Sequence, residues 1–194
     1  MKTIYLIRHG KSSLEGSDRE RGLAEEGCKQ AEQLAGVLED LDSVIEKIYS
    51  SPFRRAVLSL QPYADRKGLT IHIEEDLRER HLSNEPIDDI NKERKKMWSD
   101  LAYSLPGGET GMEAQKRGLE VLRKFAAEIG EEKAGVAVSH GNLIGLIVHA
   151  FDSGFGFNEW RNMTMPDIFR LKIFKEKVEV KHIGCKDVDT FKIG

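Results

Sequence analysis

Two short apolar runs each end abruptly on a histidine and a glycine. Thr3 to Ile7 runs into Arg8-His9-Gly10, and Val136 to Val138 runs into Ser139-His140-Gly141. A run of this kind reads as a strand buried on both faces of a sheet, the habit of parallel strands covered by helices. The stretches between them carry helix periodicity. Leu23, Ala31, Leu34, Ala35, Leu38 and Leu41 repeat near 3.6 and predict a long amphipathic helix, in which Gly27 marks a close approach to a neighbour. Val44 to Tyr49 predicts a second strand, followed by Ser51 as an N-cap, Pro52 at the first helical position, and an apolar face of Ala56, Leu60, Tyr63 and Ala64.

Thr70 to Glu74 alternates and predicts a third strand. Asp88 to Leu101 predicts a charged surface helix, with Asn91 to Lys96 as a solvated face. After the turn at Pro106-Gly107-Gly108, Thr110 and Glu113 form a capping box. It opens a helix whose inner face is Leu119, Leu122, Phe125, Ala126 and Ile129. Leu143 to Phe151 is apolar enough to be a buried helix, while Ile168 to Phe174 and Val178 to Ile183 suggest a terminal hairpin of edge strands. This alternation predicts an α/β three-layer sandwich, with a mostly parallel central sheet and helices on both faces. One domain spans 1–194, and 80–106 interrupts the rhythm as a lid or insertion over the sheet's C-terminal edge, where such folds bind ligands.

The 194 residues suffice for a real core, and 39% apolar with 32% charged residues describes a folded chain. A net charge of -3 argues against a general nucleic-acid or membrane-surface binder. Cys28 and Cys185 lie far apart and read as ordinary thiols of a reducing compartment. The opening MKTIYLIRHG is too short in apolar residues for a signal peptide and no run reaches membrane-spanning length, so the expected location is cytoplasmic.

If both runs lie centrally in one sheet, His9 and His140 reach the same edge. Two facing imidazoles suit either a metal site or nucleophilic and acid–base work. No HxxxH or paired-cysteine spacing supports a metal. Arginines favour phosphate instead: Arg8 precedes the first histidine, and Arg54-Arg55 open the second helix. Adjacent helical residues point apart, so one of that pair belongs to the exposed face. A phosphate held there can be attacked by a neutral histidine. Glu79 and Arg80 follow the third strand, where a protonated carboxyl can serve a leaving oxygen. Among the remaining side chains, His149 reads as a packing residue, His72 as solvated, His182 as peripheral, and Trp98 and Trp160 as packing.

At this point the chain resembles the histidine phosphatase superfamily, also called phosphoglycerate mutase-like. LIRHGKS, SSPFRRA, LRERHL, PGGET and VSHGN follow the family's order and approximate spacing. The resemblance implies a phosphoglycerate mutase-like fold and a phosphorylated nucleophile at His9. It implies phosphate binding by Arg8 and Arg55, a second pocket histidine at His140 and a proton donor at Glu79. A backbone N–H at Gly141 or Asn142 would help hold phosphate, and Arg54 would be the surface residue. No metal and no cofactor are required, because Arg8, Arg55 and His140 supply the positive field.

The implied substrate is a small phosphorylated metabolite, with Lys11, Ser12, Arg80 and His81 as possible contacts. KSSLEGSDRERGLAEEG lacks the tryptophan and asparagine usual after RHG in the mutases, and the chain is shorter than they are. Both facts favour a phosphatase. The segment RHLSNEP lacks the GxxEG-like element of many phosphatases, and its Arg80-His81 pair resembles mutases. Alternatives are a mutase, a phosphohistidine protein phosphatase, and a non-catalytic phospho-ligand module.

Overall fold

The computed structural model describes residues 1–41, 43–175 and 177–184, so Cys185 lies outside the described residues. In chain order the elements are β1 (Lys2–Arg8), α1 (Glu25–Glu39), β2 (Ile45–Ser50), α2 (Arg54–Lys67), β3 (Ile71–Ile73) and a 3-10 turn (Glu75–Leu77). There follow α3 (Ile90–Ser99), α4 (Gly111–Glu128), β4 (Ala134–Ser139), α5 (Gly141–Phe151), α6 (Phe157–Arg161), β5 (Asp167–Ile173) and β6 (Val178–His182). The strands form one sheet in the order β3-β2-β4-β1-β5-β6. The first four are parallel, and β5 and β6 join antiparallel.

Period-2 alternation divides β1 between two cores. Ile4 and Leu6 pack with Leu122 and Phe125 of α4 and Ile144 and Ile147 of α5. Tyr5 and Ile7 pack with Leu34 and Leu38 of α1 and Leu60 and Tyr63 of α2. That is the three-layer sandwich the alternation predicts. The capping box forms as read: Thr110 Oγ1 accepts from the Glu113 N–H, and the Glu113 carboxylate accepts from the Thr110 N–H. Its helix buries Val121 in place of Leu119 and Ala126, which stay at the margin of the core.

Two expectations change. α2 begins at Arg54 with Phe53 as its N-cap, so Pro52 is not helical, and Ser51 lies ahead of the cap, its hydroxyl accepting from the Phe53 N–H at 3.3 Å. The same Ser51 hydroxyl is 2.7 Å from His140 Nε2. Of the terminal hairpin only β6 is an edge, because β5 lies between β1 and β6.

The topology puts β1 beside β4 in register, Ile7 against Val138 and Arg8 against Ser139. The His9 N–H donates to the Ser139 carbonyl at 3.1 Å, so both histidines emerge together where the sheet ends. Residues 80–110 are tied down by buried arginines. Arg80 donates to the Glu109 and Tyr103 carbonyls at 2.9 and 3.1 Å. Arg117 of α4 forks onto the Glu109 carboxylate at 2.6 and 2.8 Å and donates to the Asp76 and Arg78 carbonyls. Buried guanidiniums bonded in this way to carbonyls and a carboxylate act as struts.

The loop after His9 is held against α1 at Gly27. A Cβ there would stand 2.0 Å from the Lys11 carbonyl oxygen, backbone that cannot swing aside. Gly27→Ala should therefore destabilise the protein by about 1–3 kcal/mol, despite the better helix propensity of alanine. Urea unfolding checks this, and a stabilised variant would contradict the packing argument.

Candidate active site

Arg55, only 3% exposed, joins the two histidines. Its Nε donates to His9 Nε2 at 3.2 Å, and an Nη lies 3.4 Å from His140 Nδ1. The guanidinium stacks on the Phe53 ring at 4.7 Å and donates to the Asp18 carbonyl, with the Asp18 carboxylate 3.3 Å away. Each contact sets a tautomer. His9 Nδ1 lies 2.6 Å from the Gly10 carbonyl and so carries the hydrogen, leaving the Nε2 lone pair toward Arg55. His140 accepts at Nδ1, so its Nε2–H donates to Ser51. The Gly10 N–H in turn donates to Ser59, one turn along α2 from Arg55.

Burial, with the nearby charges of Arg55, Arg8 and Arg21, pushes the His9 pKa down to about 3. Burial likewise holds His140, which is fully enclosed, well below the usual histidine range, helped by His9 and Arg55. Both rings are neutral at physiological pH. This corrects the view of His140 as a positive wall: the enclosed ring has no solvent to stabilise a charge, and the cations beside it oppose one. The positive field belongs to the arginines.

Arg8 reaches the site from β1. Its Nη1 donates to the Met163 and Thr164 carbonyls at 2.9 and 3.3 Å, while its buried Nε has no partner. Asp167, paired in register with Arg8, steadies that turn by accepting from the Thr164 N–H at 3.1 Å. Gly141 lets the guanidinium lie close, since a Cβ there would be 3.2 Å from the Arg8 Cζ.

Glu79 meets the start of α5. One oxygen accepts from the N–H groups of Arg80 (2.8 Å) and Leu143 (3.1 Å). The other accepts from the Asn142 N–H (3.1 Å) and Asn142 Nδ2 (3.3 Å). A distant carboxylate thus caps the helix, as the dipole favours. The Asn142 amide, expected to face phosphate, is given to Glu79.

The possible substrate contacts mostly have other work. Arg80 is a strut with 4% exposure. His81 is exposed and bonded to Asn84 at 2.8 Å. Lys11 turns to Glu26 on α1 at 2.5 Å, and Ser12 bridges to Leu23. Arg54 is exposed. His149 bonds the Phe155 carbonyl at 2.8 Å, and His182 bonds Asp167 and stacks on Phe169.

Beside the histidines opens a cleft of about 260 Å³ whose wall includes Arg8, Glu79, Asn91, Arg94, Trp160 and Arg161. Asn91 and Arg94 come from the run read as a solvated helix face, and Trp160 from a residue read as packing. Only its position in an interrupting segment could have drawn attention to Arg94. Among the described residues no group of three or more His, Cys, Asp or Glu is placed to hold a metal ion, and no helix is long and apolar enough to cross a membrane.

The sequence pattern of the histidine phosphatase superfamily (branch 1) matches residues 4–185. The chain belongs to this superfamily. A glucosyl-3-phosphoglycerate phosphatase of Mycolicibacterium vanbaalenii is 26% identical over 178 residues, covering 82% of this chain and 78% of that protein. Two solved structures share the fold. A mycobacterial glucosyl-3-phosphoglycerate phosphatase complexed with VO3 has TM-score 0.75 at 23% identity, covering 93% of this chain and 97% of that one. A mutant phosphoserine phosphatase of Entamoeba histolytica in complex with phosphoserine has TM-score 0.74 at 21% identity, covering 97% and 100%.

The two neutral histidines of this superfamily member make a stability prediction. Their folded pKa values lie below the unfolded value, so the unfolded chain binds more protons as pH falls. Stability is therefore complete above about pH 6.5 and is lost progressively toward the folded pKa of His9, about 3. His9 should cost about 2 kcal/mol of unfolding free energy between pH 7 and 5, and His140 acts in the same direction. Urea titrations at both pH values measure this, and His9→Gln should lose less than wild type by about one ring's share. An identical pH dependence in the variant would contradict a neutral buried His9.

Proposed function

We propose that this phosphatase hydrolyses a small phosphomonoester through a phosphohistidine on His9. The observation that supports this most is the His9 Nε2 lone pair, aimed at the Arg55 guanidinium at 3.2 Å on a ring whose proton is held at Gly10. A phosphate entering between them takes the guanidinium donors onto its oxygens and frees the lone pair for phosphorus. The unpartnered Nε of Arg8 offers a second donor. His140, held by Ser51, is a neutral neighbour that accepts from Arg55 and keeps it oriented.

In the first displacement the N–P bond forms at His9 Nε2 as the P–O bond to the alcohol breaks. Glu79 gives the departing oxygen a proton. In the second, water attacks the phosphohistidine, Glu79 takes the water proton, and phosphate leaves with His9 neutral again. Residues 80–106 act as an insertion that closes the cleft, because α3 contributes Asn91 and Arg94 to its wall. The cleft's size suits a metabolite. The Arg80-His81 pair that resembled mutases is engaged by Tyr103, Glu109 and Asn84, so it lends a mutase no support. The relatives' named substrates, glucosyl-3-phosphoglycerate and phosphoserine, are the first compounds to try.

Labelled substrate quenched in alkali should leave an acid-labile, base-stable label on the peptide containing His9, with free phosphate as product. His9→Ala should abolish both. Label on the His140 peptide, or an isomerised ester as product, would overturn the proposal.

Glu79→Gln should slow esters of poor alcohol leaving groups by about 10²–10⁴-fold, and nitrophenyl phosphate much less. Steady-state rates on both substrates decide this. Equal losses would take the acid role from Glu79.

A further inference from the structure

Arg8 belongs to a row of side chains that crosses three neighbouring strands. Alternation puts it on the face of β1 that carries Ile4 and Leu6. Its register partner on β5 is Asp167. His182 of β6, whose own register partner is Phe169, leans across to Asp167 and stacks on the Phe169 ring at 4.5 Å. Burial lowers the Arg8 pKa, and the charges of Glu79 and Asp167 oppose that loss. Asp167 is fully buried, and a buried carboxylate is tolerable only when its lone pairs are filled.

The partners that fill them lead back to Arg8. Asp167 Oδ1 accepts from the Ile168 N–H at 3.0 Å and from His182 Nε2 at 2.7 Å. Oδ2 accepts from the Thr164 N–H at 3.1 Å. Among the described residues, His182 is the only side chain bonded to this carboxylate. The Thr164 N–H and the Met163 carbonyl belong to one peptide unit, and that carbonyl accepts from Arg8 Nη1 at 2.9 Å. A trans peptide is planar, with its N–H and C=O pointing opposite ways, so fixing one end aims the other. The carboxylate also polarises the unit, which makes its carbonyl a stronger acceptor for Arg8.

We propose that His182 is a positioning residue for Arg8, acting through Asp167 and the Met163–Thr164 peptide. His182 holds the carboxylate in one rotamer, the carboxylate holds the peptide plane, and the carbonyl holds Arg8 Nη1. The unpartnered Nε of Arg8 is thereby left for a phosphate oxygen. The task given to Arg8 rests on the phosphatase reading, whereas the chain of contacts that aims it does not. The His182 side chain is half exposed, so it can be replaced without opening a cavity in the core.

The test uses two substitutions at His182 in two backgrounds. His182→Phe keeps a ring on Phe169 and removes the donor to Asp167, while His182→Gln keeps a donor. In the wild-type background His182→Phe should lower kcat/KM for nitrophenyl phosphate by about 10-fold, and His182→Gln should lose less. In an Arg8→Lys background, where no guanidinium remains to be aimed, His182→Phe should cost less than about 2-fold. A purely structural contribution of His182 would cost the same in both. The second readout is the Arg8 Nε–H signal in nitrogen–proton correlation spectra, assigned by its loss in Arg8→Lys. It should shift in His182→Phe and stay close to its wild-type position in His182→Gln. This signal needs no turnover, so it decides the positioning even if wild type hydrolyses no ester, the outcome that would defeat the phosphatase reading. An unmoved Arg8 signal in His182→Phe, or equal losses of kcat/KM in the two backgrounds, would overturn the proposal.

Discussion

A single guanidinium between two buried imidazoles organises this protein. Arg55 can stay charged where it is because Asp18 and the Phe53 face partner it, and both histidines turn lone pairs toward it. Its charge and the loss of solvent keep the histidines neutral. Neutrality is what a nitrogen nucleophile needs. One contact thus sets the tautomer and the direction of the lone pair, and places a cation beside it. The fold serves that contact: β1 and β4 deliver the rings from adjacent strand ends, and the first turn of α2 delivers the arginine.

Around this centre, arginine is used for two purposes that look alike in sequence. Arg80 and Arg117 are struts whose donors end on carbonyls and on Glu109, so they hold residues 80–110 against α4. Arg8, Arg94 and Arg161 face a cleft and keep donors in reserve. Satisfaction by the protein separates the struts from the arginines that line the cleft. The start of α5 shows a related division. Its N–H groups hold Glu79 and so position a carboxylate on the cleft wall, when they could have taken an anion directly.

Much of this was legible in the chain. Apolar runs stopping at Arg8-His9-Gly10 and Ser139-His140-Gly141 point to buried strands with imidazoles at their ends, because such runs are too short for a helix and suit a strand covered on both faces. The alternation with helices then implies a covered, mostly parallel sheet. Thr110 and Glu113 declare a helix start because the capping box is a local hydrogen-bond pattern. Gly27 marked a close approach for a similarly local reason, the missing Cβ.

What the sequence could not decide are matters of which donors meet which acceptors across long separations. Ser51 looked like a cap because capping is local, but the fold carries His140 within 2.7 Å of its hydroxyl. His140 looked like a cation because composition is silent on enclosure, and enclosure makes it neutral. Arg80 and Arg94 are equally charged in the chain, yet one is spent on carbonyls and the other left on a cleft. The sequence by itself determined the layered sheet and which residue types reach its edge, through periodicity and local capping. The tertiary structure alone decided their protonation and their partners, because desolvation and hydrogen bonding depend on neighbours that are distant along the chain.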